Sequence, residues 1–150
     1  MRFDPHPKRD SIKNCFMTPN EVFSLGLEAG EIAVYSYLLR CEDRKTHQCW
    51  PSYKTIGSAV GMTKKTVQKY VAMLEDKQLI TTEPTLVRRQ DGRKQNGNLL
   101  YTIRPIHDAL EHFHGRQMAE LERTTAIHNA KALAAKKGIN FRPPGSEQTA

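Results

Sequence analysis

The sequence predicts a mainly α-helical protein that carries a small β-hairpin and ends in a long helix. Three observations support this fold class. Apolar residues recur at helical spacing in residues 28–41 and 64–77, and a β-rich stretch with two turn dipeptides fills residues 79–103. Helical character then resumes over residues 106–137. The chain has 150 residues, of which 38% are hydrophobic, so we expect one domain with a modest core and appendages.

Composition excludes several classes of protein. Charged residues make up 26% of the chain and the mean hydropathy is -0.63, as in soluble proteins. No stretch approaches the roughly 18–20 apolar residues that span a bilayer, and the start, MRFDPHPKRD, lacks the apolar segment of a signal peptide. The three cysteines show no repeating spacing, which argues against a disulfide framework. We therefore expect a cytoplasmic protein with no membrane partner.

Positive charge is concentrated in the middle of the chain. The formal net charge is +7, and residues 52–104 alone carry ten Lys or Arg against four Asp or Glu. A basic patch on an ordered segment indicates a polyanionic partner, and nucleic acid is the first candidate in the cytoplasm. The alternative is an ordinary solvated basic face.

The N-terminal third is predicted to hold one helix. Residues 1–15 have no periodicity and contain two prolines, which indicates a flexible arm. A short lead-in follows, whose Phe16 and Phe23 we expect on the core. Residues 28–41 form a helix because apolar residues recur there at helical spacing. These residues are Ile32, Val34, Tyr35, Leu38 and Leu39. A charged loop comes next.

Two short helices separated by a tight turn follow the loop. Ser52 is a good N-cap because its hydroxyl can accept a hydrogen bond from a first-turn amide. Gly61 ends this helix, and Thr63 is the N-cap of a second helix that runs from Lys64 to about Lys77. The apolar faces consist of Ile56, Ala59 and Val60 in the first helix and Val67, Tyr70, Val71 and Leu74 in the second. This order is a helix-turn-helix.

An extended hairpin follows the second helix. Its strands are predicted over residues 79–82, 85–87 and 99–103, and a basic decapeptide lies between them. Both Asp91-Gly92 and Asn96-Gly97 are strong turn signals, so either can form the turn, or the whole decapeptide can be a mobile tip. A basic hairpin after a helix-turn-helix is a wing, so the chain is predicted to be a winged helix-turn-helix over residues 16–104.

Residues 105–138 are predicted to form a C-terminal helix, and residues 139–150 a disordered tail. The helix has a thin apolar stripe of Ile106, Leu110, Phe113 and Leu121. We expect this stripe to pair with its own copy in a homodimer, which suits a two-fold DNA site. The alternative is that only its first half packs on the domain while the rest is solvated.

The second helix of the helix-turn-helix has a polar face opposite its apolar one. At about 100° per residue, Lys65, Gln68 and Lys69 lie across from Val67 and would face the major groove of double-stranded DNA. Residues near phosphates would lie at the helix starts and in the wing. The full set of candidate DNA-binding residues is Ser52, Thr63, Lys64, Lys65, Thr66, Gln68, Lys69, Arg88, Arg89, Arg93 and Lys94.

A family resemblance agrees with this interpretation. Phe16 to Ile103 resembles the winged helix-turn-helix DNA-binding domain of small regulators and replication initiators of phages, plasmids and conjugative elements. The residues that carry it are Leu38-Leu39-Arg40, Trp50-Pro51-Ser52, Ile56, Val60-Gly61-Met62-Thr63, Thr66-Val67, Leu74, Leu79-Ile80 and Asn96-Gly97-Asn98-Leu99-Leu100-Tyr101. The resemblance implies that the second helix enters a DNA groove. Many members place Gly before Leu-Ile, where this sequence has Lys77-Gln78.

Other candidate sites are weak. Cys41, His47 and Cys49 offer metal ligands, but in no recognised spacing. His107, Glu111 and His114 share a helical face without the His-Glu-x-x-His order of metalloproteases. No phosphate-binding loop, carboxylate pair or nucleophile elbow occurs. Cys41 and Trp50 are predicted to pack in the core.

The sequence therefore predicts a DNA-binding transcription regulator or replication-initiation factor of a mobile genetic element, without enzymatic activity, metal or cofactor. Two alternatives stay open. One is an adaptor whose winged fold binds another protein or a nucleoprotein, and it would not need the basic face. The other is a thiol- or metal-responsive regulator that uses the cysteines.

Overall fold

The computed structural model describes residues 15–139. Within that range a 3-10 turn, Asn20–Ser24, precedes four α-helices and five strands. In chain order these are α1 (Ala29–Cys41), β1 (Gln48–Cys49), α2 (Tyr53–Val60), α3 (Lys64–Asp76), β2 (Ile80–Glu83), β3 (Leu86–Arg88), β4 (Lys94–Asn96), β5 (Leu100–Ile103) and α4 (Ile106–Lys136). The predicted arm, residues 1–15, and tail, residues 139–150, lie outside the described range except for residues 15 and 139.

The strands form a small antiparallel sheet and a separate hairpin beyond it. Strand β5 lies between β1 and β2, so that Tyr101 pairs with Cys49 on one side and with Thr82 on the other. Strands β3 and β4 pair with each other. The predicted fold class is confirmed: the protein is a mainly α-helical winged helix-turn-helix with a β-hairpin wing, followed by a long C-terminal helix.

The core lies between α1, α3 and the sheet. The residues that are nearly or fully shielded from solvent are Val34, Tyr35, Leu38, Val67, Val71, Leu74, Leu79, Ile80 and Tyr101. Each buried aliphatic side chain of this kind stabilises the fold by about 1.5–3 kcal/mol relative to exposure. The apolar periodicity of α1 and α3 therefore correctly predicted which face of each helix packs in the core.

Three aromatic residues that were predicted to pack in the core are instead at the surface. Phe23 is 78% exposed, Phe16 is 42% exposed and Trp50 is 54% exposed. In the 3-10 turn Val22 is buried, so Phe23 next to it points away. Cys49 is buried in β1, and successive side chains of a strand point to opposite faces, so Trp50 points to solvent.

Two small side chains also differ from the prediction. Ala59 is exposed, and Gly57 takes its place on the buried face of α2. Cys41 is only half-buried, whereas Cys49 is fully buried. Strand β1 was not predicted, and its first residue, Gln48, was expected to end the charged loop. The strand exists because it pairs with β5, far along the chain, so no local signal indicates it.

The end of α3 explains the residue that departs from the family pattern. Gln78 has a φ of 64°, the left-handed conformation that glycine usually provides. The Gln78 N–H donates to the Glu75 carbonyl and the Leu79 N–H donates to the Leu74 carbonyl, each at 3.0 Å. The Arg104 guanidinium donates to Gln78 Oε1. Glutamine therefore occupies the glycine position of a Schellman motif.

A buried carboxylate ties α1 to the end of α3. The Glu31 side chain is fully buried, and Lys77 Nζ donates to its Oε2 atom at 2.8 Å. The Glu28 N–H also donates to Oε2, at 2.7 Å, which completes a capping box at the start of α1. Oε1 is buried without a hydrogen-bond partner among residues 15–139. A buried charge of this kind is costly unless it is paired.

The described residues form two compact units, one that ends at Leu110 and one that begins at Glu111. Helix α4 spans Ile106–Lys136, and Ala109 is its buried residue. In the second unit Met118, Leu121 and Leu133 are more than half exposed. Among the described residues, no helix is both long enough and apolar enough to cross a membrane.

Candidate nucleic-acid interface

Helices α2 and α3 begin with the same capping arrangement. Ser52 Oγ accepts a hydrogen bond from the Thr55 N–H at 3.1 Å, and Thr63 Oγ1 accepts one from the Thr66 N–H at 3.3 Å. In each cap the two hydroxyl groups also lie 2.9 Å apart. Both N-caps were predicted from the sequence and are confirmed. The hydroxyls of Ser52, Thr63 and Thr66 thus take part in capping the N-termini of α2 and α3, which are the helix ends that a phosphate would approach.

The turn between these helices depends on a close backbone approach. The Met62 N–H donates to the Gly57 carbonyl at 2.9 Å, and a Cβ at position 57 would overlap the Met62 carbonyl oxygen. Gly61 has a φ of 73° at the predicted helix exit. The role of Gly61 was predicted from the sequence, but the role of Gly57 was not. A glycine within a helical pattern does not reveal that the backbone of another segment lies against it.

The outer face of α3 is positively charged and exposed. Lys64, Lys65, Gln68 and Lys69 are all exposed, while Thr66 is half-buried. Lys65 and Lys69 lie opposite the buried Val67, with Gln68 beside them. Lys69 Nζ lies 5.3 Å from the centre of the Tyr70 ring. That ring in turn packs so closely on α1 that a Cβ at Gly30 would overlap it. Packing against α1 therefore fixes which face α3 presents to solvent.

The wing turns at Asp91-Gly92. The Arg89 N–H donates to the Arg93 carbonyl at 2.9 Å, and the Gly92 N–H donates to the Arg89 carbonyl at 3.0 Å. Gly92 has a φ of 80°, and Asp91 Oδ1 accepts from the Arg93 N–H at 3.0 Å. The second candidate turn, Asn96-Gly97, lies at the base of the wing, where the Gly97 N–H donates to the Thr85 carbonyl at 2.8 Å.

The four predicted basic residues of the wing are all exposed. Arg88 and Lys94 are opposite each other in the β3–β4 register, although like charges in this position destabilise a hairpin. Arg89 Nε donates to the neutral Gln95 side chain at 2.6 Å. No ion pair joins Lys64, Lys65, Arg88 or Lys94 to a carboxylate within residues 15–139. Within the described structure these four cations are therefore not neutralised by an ion pair with a carboxylate.

Comparison with known proteins supports this assignment of elements. Residues 25–80 match the family model of a helix-turn-helix domain. That segment contains α1, β1, α2, α3 and the first residue of β2. No curated protein matches the sequence.

A solved structure named as a possible transcriptional regulator from Methanosarcina mazei Go1 is similar to 78% of this chain and 97% of its own. The sequence identity is 15% and the TM-score is 0.49. Similarity at this level does not transfer a function from one protein to the other.

The sheet places the start of α2 and the base of the wing at the same end of the helix-turn-helix domain. Strand β2 runs toward the wing and β5 returns from it, and β1 is antiparallel to β5. The chain after β1 therefore emerges at the wing end, where Asn98 Nδ2 donates to the Trp50 carbonyl at 3.1 Å. The hydrogen bond between Asn98 and the Trp50 carbonyl was not predicted, because an asparagine beside a glycine indicates only a turn.

The cysteine candidates do not form a metal centre in the described residues. No three His, Cys, Asp or Glu side chains in residues 15–139 are arranged to hold a metal ion. His47 Nδ1 lies 3.4 Å from Glu42 Oε2. Burial, with Cys41 and Glu42 nearby, raises the pKa of the Cys49 thiol to about 12. That thiol is therefore protonated at neutral pH, which makes it a poor nucleophile.

Proposed function

We propose that the protein binds double-stranded DNA through its helix-turn-helix domain. The observation that carries the proposal is the set of exposed cations on the outer face of α3 and the wing, four of which form no ion pair with a carboxylate within residues 15–139. Such a surface stabilises contacts with phosphates, and amide and cationic side chains on a recognition helix can read base edges. The proposed activity is binding rather than catalysis, and it requires no cofactor or metal. An adaptor for another protein would have no use for these exposed cations.

The proposed contacts divide into two groups. Lys65, Gln68 and Lys69 face the major groove and read bases, because they project from the middle of the exposed face of α3. The remaining contacts position the protein on phosphates. Those residues are Ser52, Thr63, Lys64 and Thr66 at the helix starts and Arg88, Arg89, Arg93 and Lys94 in the wing.

We further propose that the protein is a transcription regulator or a replication-initiation factor of a mobile genetic element. The resemblance of Trp50-Pro51-Ser52 and Val60-Gly61-Met62-Thr63 to such proteins supports this narrower role. Footprinting on the neighbouring DNA separates the two roles. A protected site that overlaps a promoter indicates regulation, and repeated sites within a replication origin indicate initiation.

Binding should be measured on fragments of the neighbouring DNA at about 50 mM and 200 mM salt. We expect tight binding that weakens steeply with salt. Neutralising Arg88, Arg89, Arg93 and Lys94 should flatten the log–log salt slope by about 0.9 for each phosphate that the wing no longer neutralises. The matched control removes the same charge from α4, at Arg116, Arg123, Lys131 and Lys136. A wing variant with the parent slope would remove the wing from the interface, and absence of binding to any fragment would refute the function.

We propose that the free protein is a homodimer joined through α4. Support comes from the exposed apolar side chains of the second unit, Met118, Leu121 and Leu133, because a helix with such side chains gains stability by pairing. Light scattering at tens of micromolar should report a dimer for the full chain, an order of concentration at which even weak dimers form. Leu121→Glu should convert it to a monomer. A monomeric parent protein would exclude dimerisation through this helix.

A further inference from the structure

The exposed indole of Trp50 is not among the contacts proposed above. Trp50 is the single tryptophan of the chain, and its side chain is 54% exposed. Tryptophan is enriched at the centre of binding interfaces, where its ring fills a contact and its N–H finds an acceptor. An exposed tryptophan on a small domain therefore calls for a partner.

The position of Trp50 identifies that partner. It lies at the wing end of the sheet, one residue beyond β1, and its carbonyl accepts from the Asn98 side chain at the base of the wing. Two residues later Ser52 caps α2, whose exposed first turn includes Lys54. The backbone of Trp50 thus lies between two elements proposed to contact phosphates. A helix N-terminus and a lysine beside it make this surface attractive to anions.

We propose that the Trp50 indole contacts the sugar–phosphate backbone of duplex DNA, between the start of α2 and the base of the wing. The inference rests on the proposed function and adds a residue to it. The face of the ring would pack on deoxyribose, and Nε1–H would donate to a phosphate oxygen. Such a contact positions the protein without reading sequence, so we expect it on specific and non-specific DNA alike.

The single tryptophan makes the contact directly measurable. The probe is a duplex of mixed sequence, about three helical turns long, with a fluorescein at one end, so that anisotropy reports binding while tryptophan emission reports Trp50. Quenching by acrylamide is measured with and without saturating duplex. Acrylamide is neutral, so the charge of the DNA does not itself exclude it. We expect the quenching constant to fall at least about twofold in the complex, because the contact covers the exposed half of the indole.

Two outcomes separate this inference from the proposed function. A rise in anisotropy with an unchanged quenching constant overturns the Trp50 contact and leaves DNA binding intact. The absence of an anisotropy rise refutes both. These measurements use the parent protein, so they decide the question even if substitutions at Trp50 impair folding.

Substitutions provide the second arm of the test. Trp50→Ala should weaken binding about tenfold on the mixed-sequence duplex, whereas Trp50→Tyr, which keeps a ring and a donor, should weaken it less. Phe23→Ala is the matched control because it removes an aromatic side chain that is 78% exposed and lies outside the proposed interface. Parent affinity in a folded Trp50→Ala variant would overturn the proposal. Parent affinity for DNA together with failure to bind a co-purifying protein would assign the indole to a protein partner instead.

Discussion

Helices α3 and α4 were both evident from the sequence, yet the protein holds them in different ways. Within 13 residues α3 buries three side chains, starts at a hydroxyl cap and ends in a Schellman motif. Over 31 residues α4 buries Ala109. Periodicity predicts that a helix forms, but a packing partner decides which face is fixed. An interface that must present particular side chains to DNA is therefore expected on α3, and an association surface on α4.

The largest expected effect on stability concerns the ion pair that holds the end of α3. Glu31→Ala should lower the free energy of unfolding by about 3 kcal/mol, because it removes the capping box and leaves Lys77 without its buried partner. Glu122→Ala in exposed α4 is the control, with an expected change of less than about 0.5 kcal/mol. Urea denaturation measures both. Equal, small effects would mean that the buried Glu31–Lys77 pair does not stabilise the packing of α3 on α1.

The next prediction compares a glycine in each region. Gly57→Ala should destabilise the domain by about 2 kcal/mol, because the new Cβ overlaps the Met62 carbonyl oxygen in the turn before α3. Gly115→Ala should instead stabilise α4 by about 0.5–1 kcal/mol, because nothing lies near a Cβ there and alanine favours a helix. Thermal melts followed by circular dichroism test both signs. Destabilisation by both substitutions would contradict the contrast between the two helices.

The third prediction tests the face that α3 presents. Lys65→Ala with Gln68→Ala should weaken binding to the best DNA site by about 1–3 kcal/mol for each base contact removed, and should reduce discrimination between sites. Stability should not change, since both side chains are exposed. Lys131→Ala in α4 is the control for removal of one positive charge. If the double variant is folded and keeps the parent affinity and specificity, α3 is not the recognition helix.

Features of this protein that depend on local interactions were predicted from its sequence, whereas features that depend on contacts between distant residues were not. The caps at Ser52 and Thr63 and the exit at Gly61 are local, and all three were predicted. The choice between Asp91-Gly92 and Asn96-Gly97 was not, because it depends on which residues of β3 and β4 pair. Local signals were therefore sufficient for helix ends but not for strand register.

The buried or exposed state of single large side chains was the least predictable feature. Trp50 and Phe23 were assigned to the core by residue type, yet each lies one residue beyond a buried neighbour and points the other way. Glu31 was overlooked for the opposite reason, because a glutamate in a helix is ordinarily solvated. Its burial follows from Lys77, which comes within reach only when α3 packs on α1. The exposure of the basic side chains on α3 and the wing was easier to predict, because a solvated charge needs no partner.

The smallest expected effect concerns Gln78, at the exit of α3. Its φ of 64° is strained for a residue with a Cβ, and its side chain offsets part of that strain by accepting a hydrogen bond from Arg104. Gln78→Gly and Gln78→Ala both remove that bond, so their difference isolates the backbone cost. We expect the Gly variant to be more stable than the Ala variant by about 1 kcal/mol, with the parent between them. Urea unfolding of the three proteins gives the order. If the Ala variant equals the Gly variant, the left-handed conformation at position 78 costs nothing, and α3 ends without the Schellman geometry.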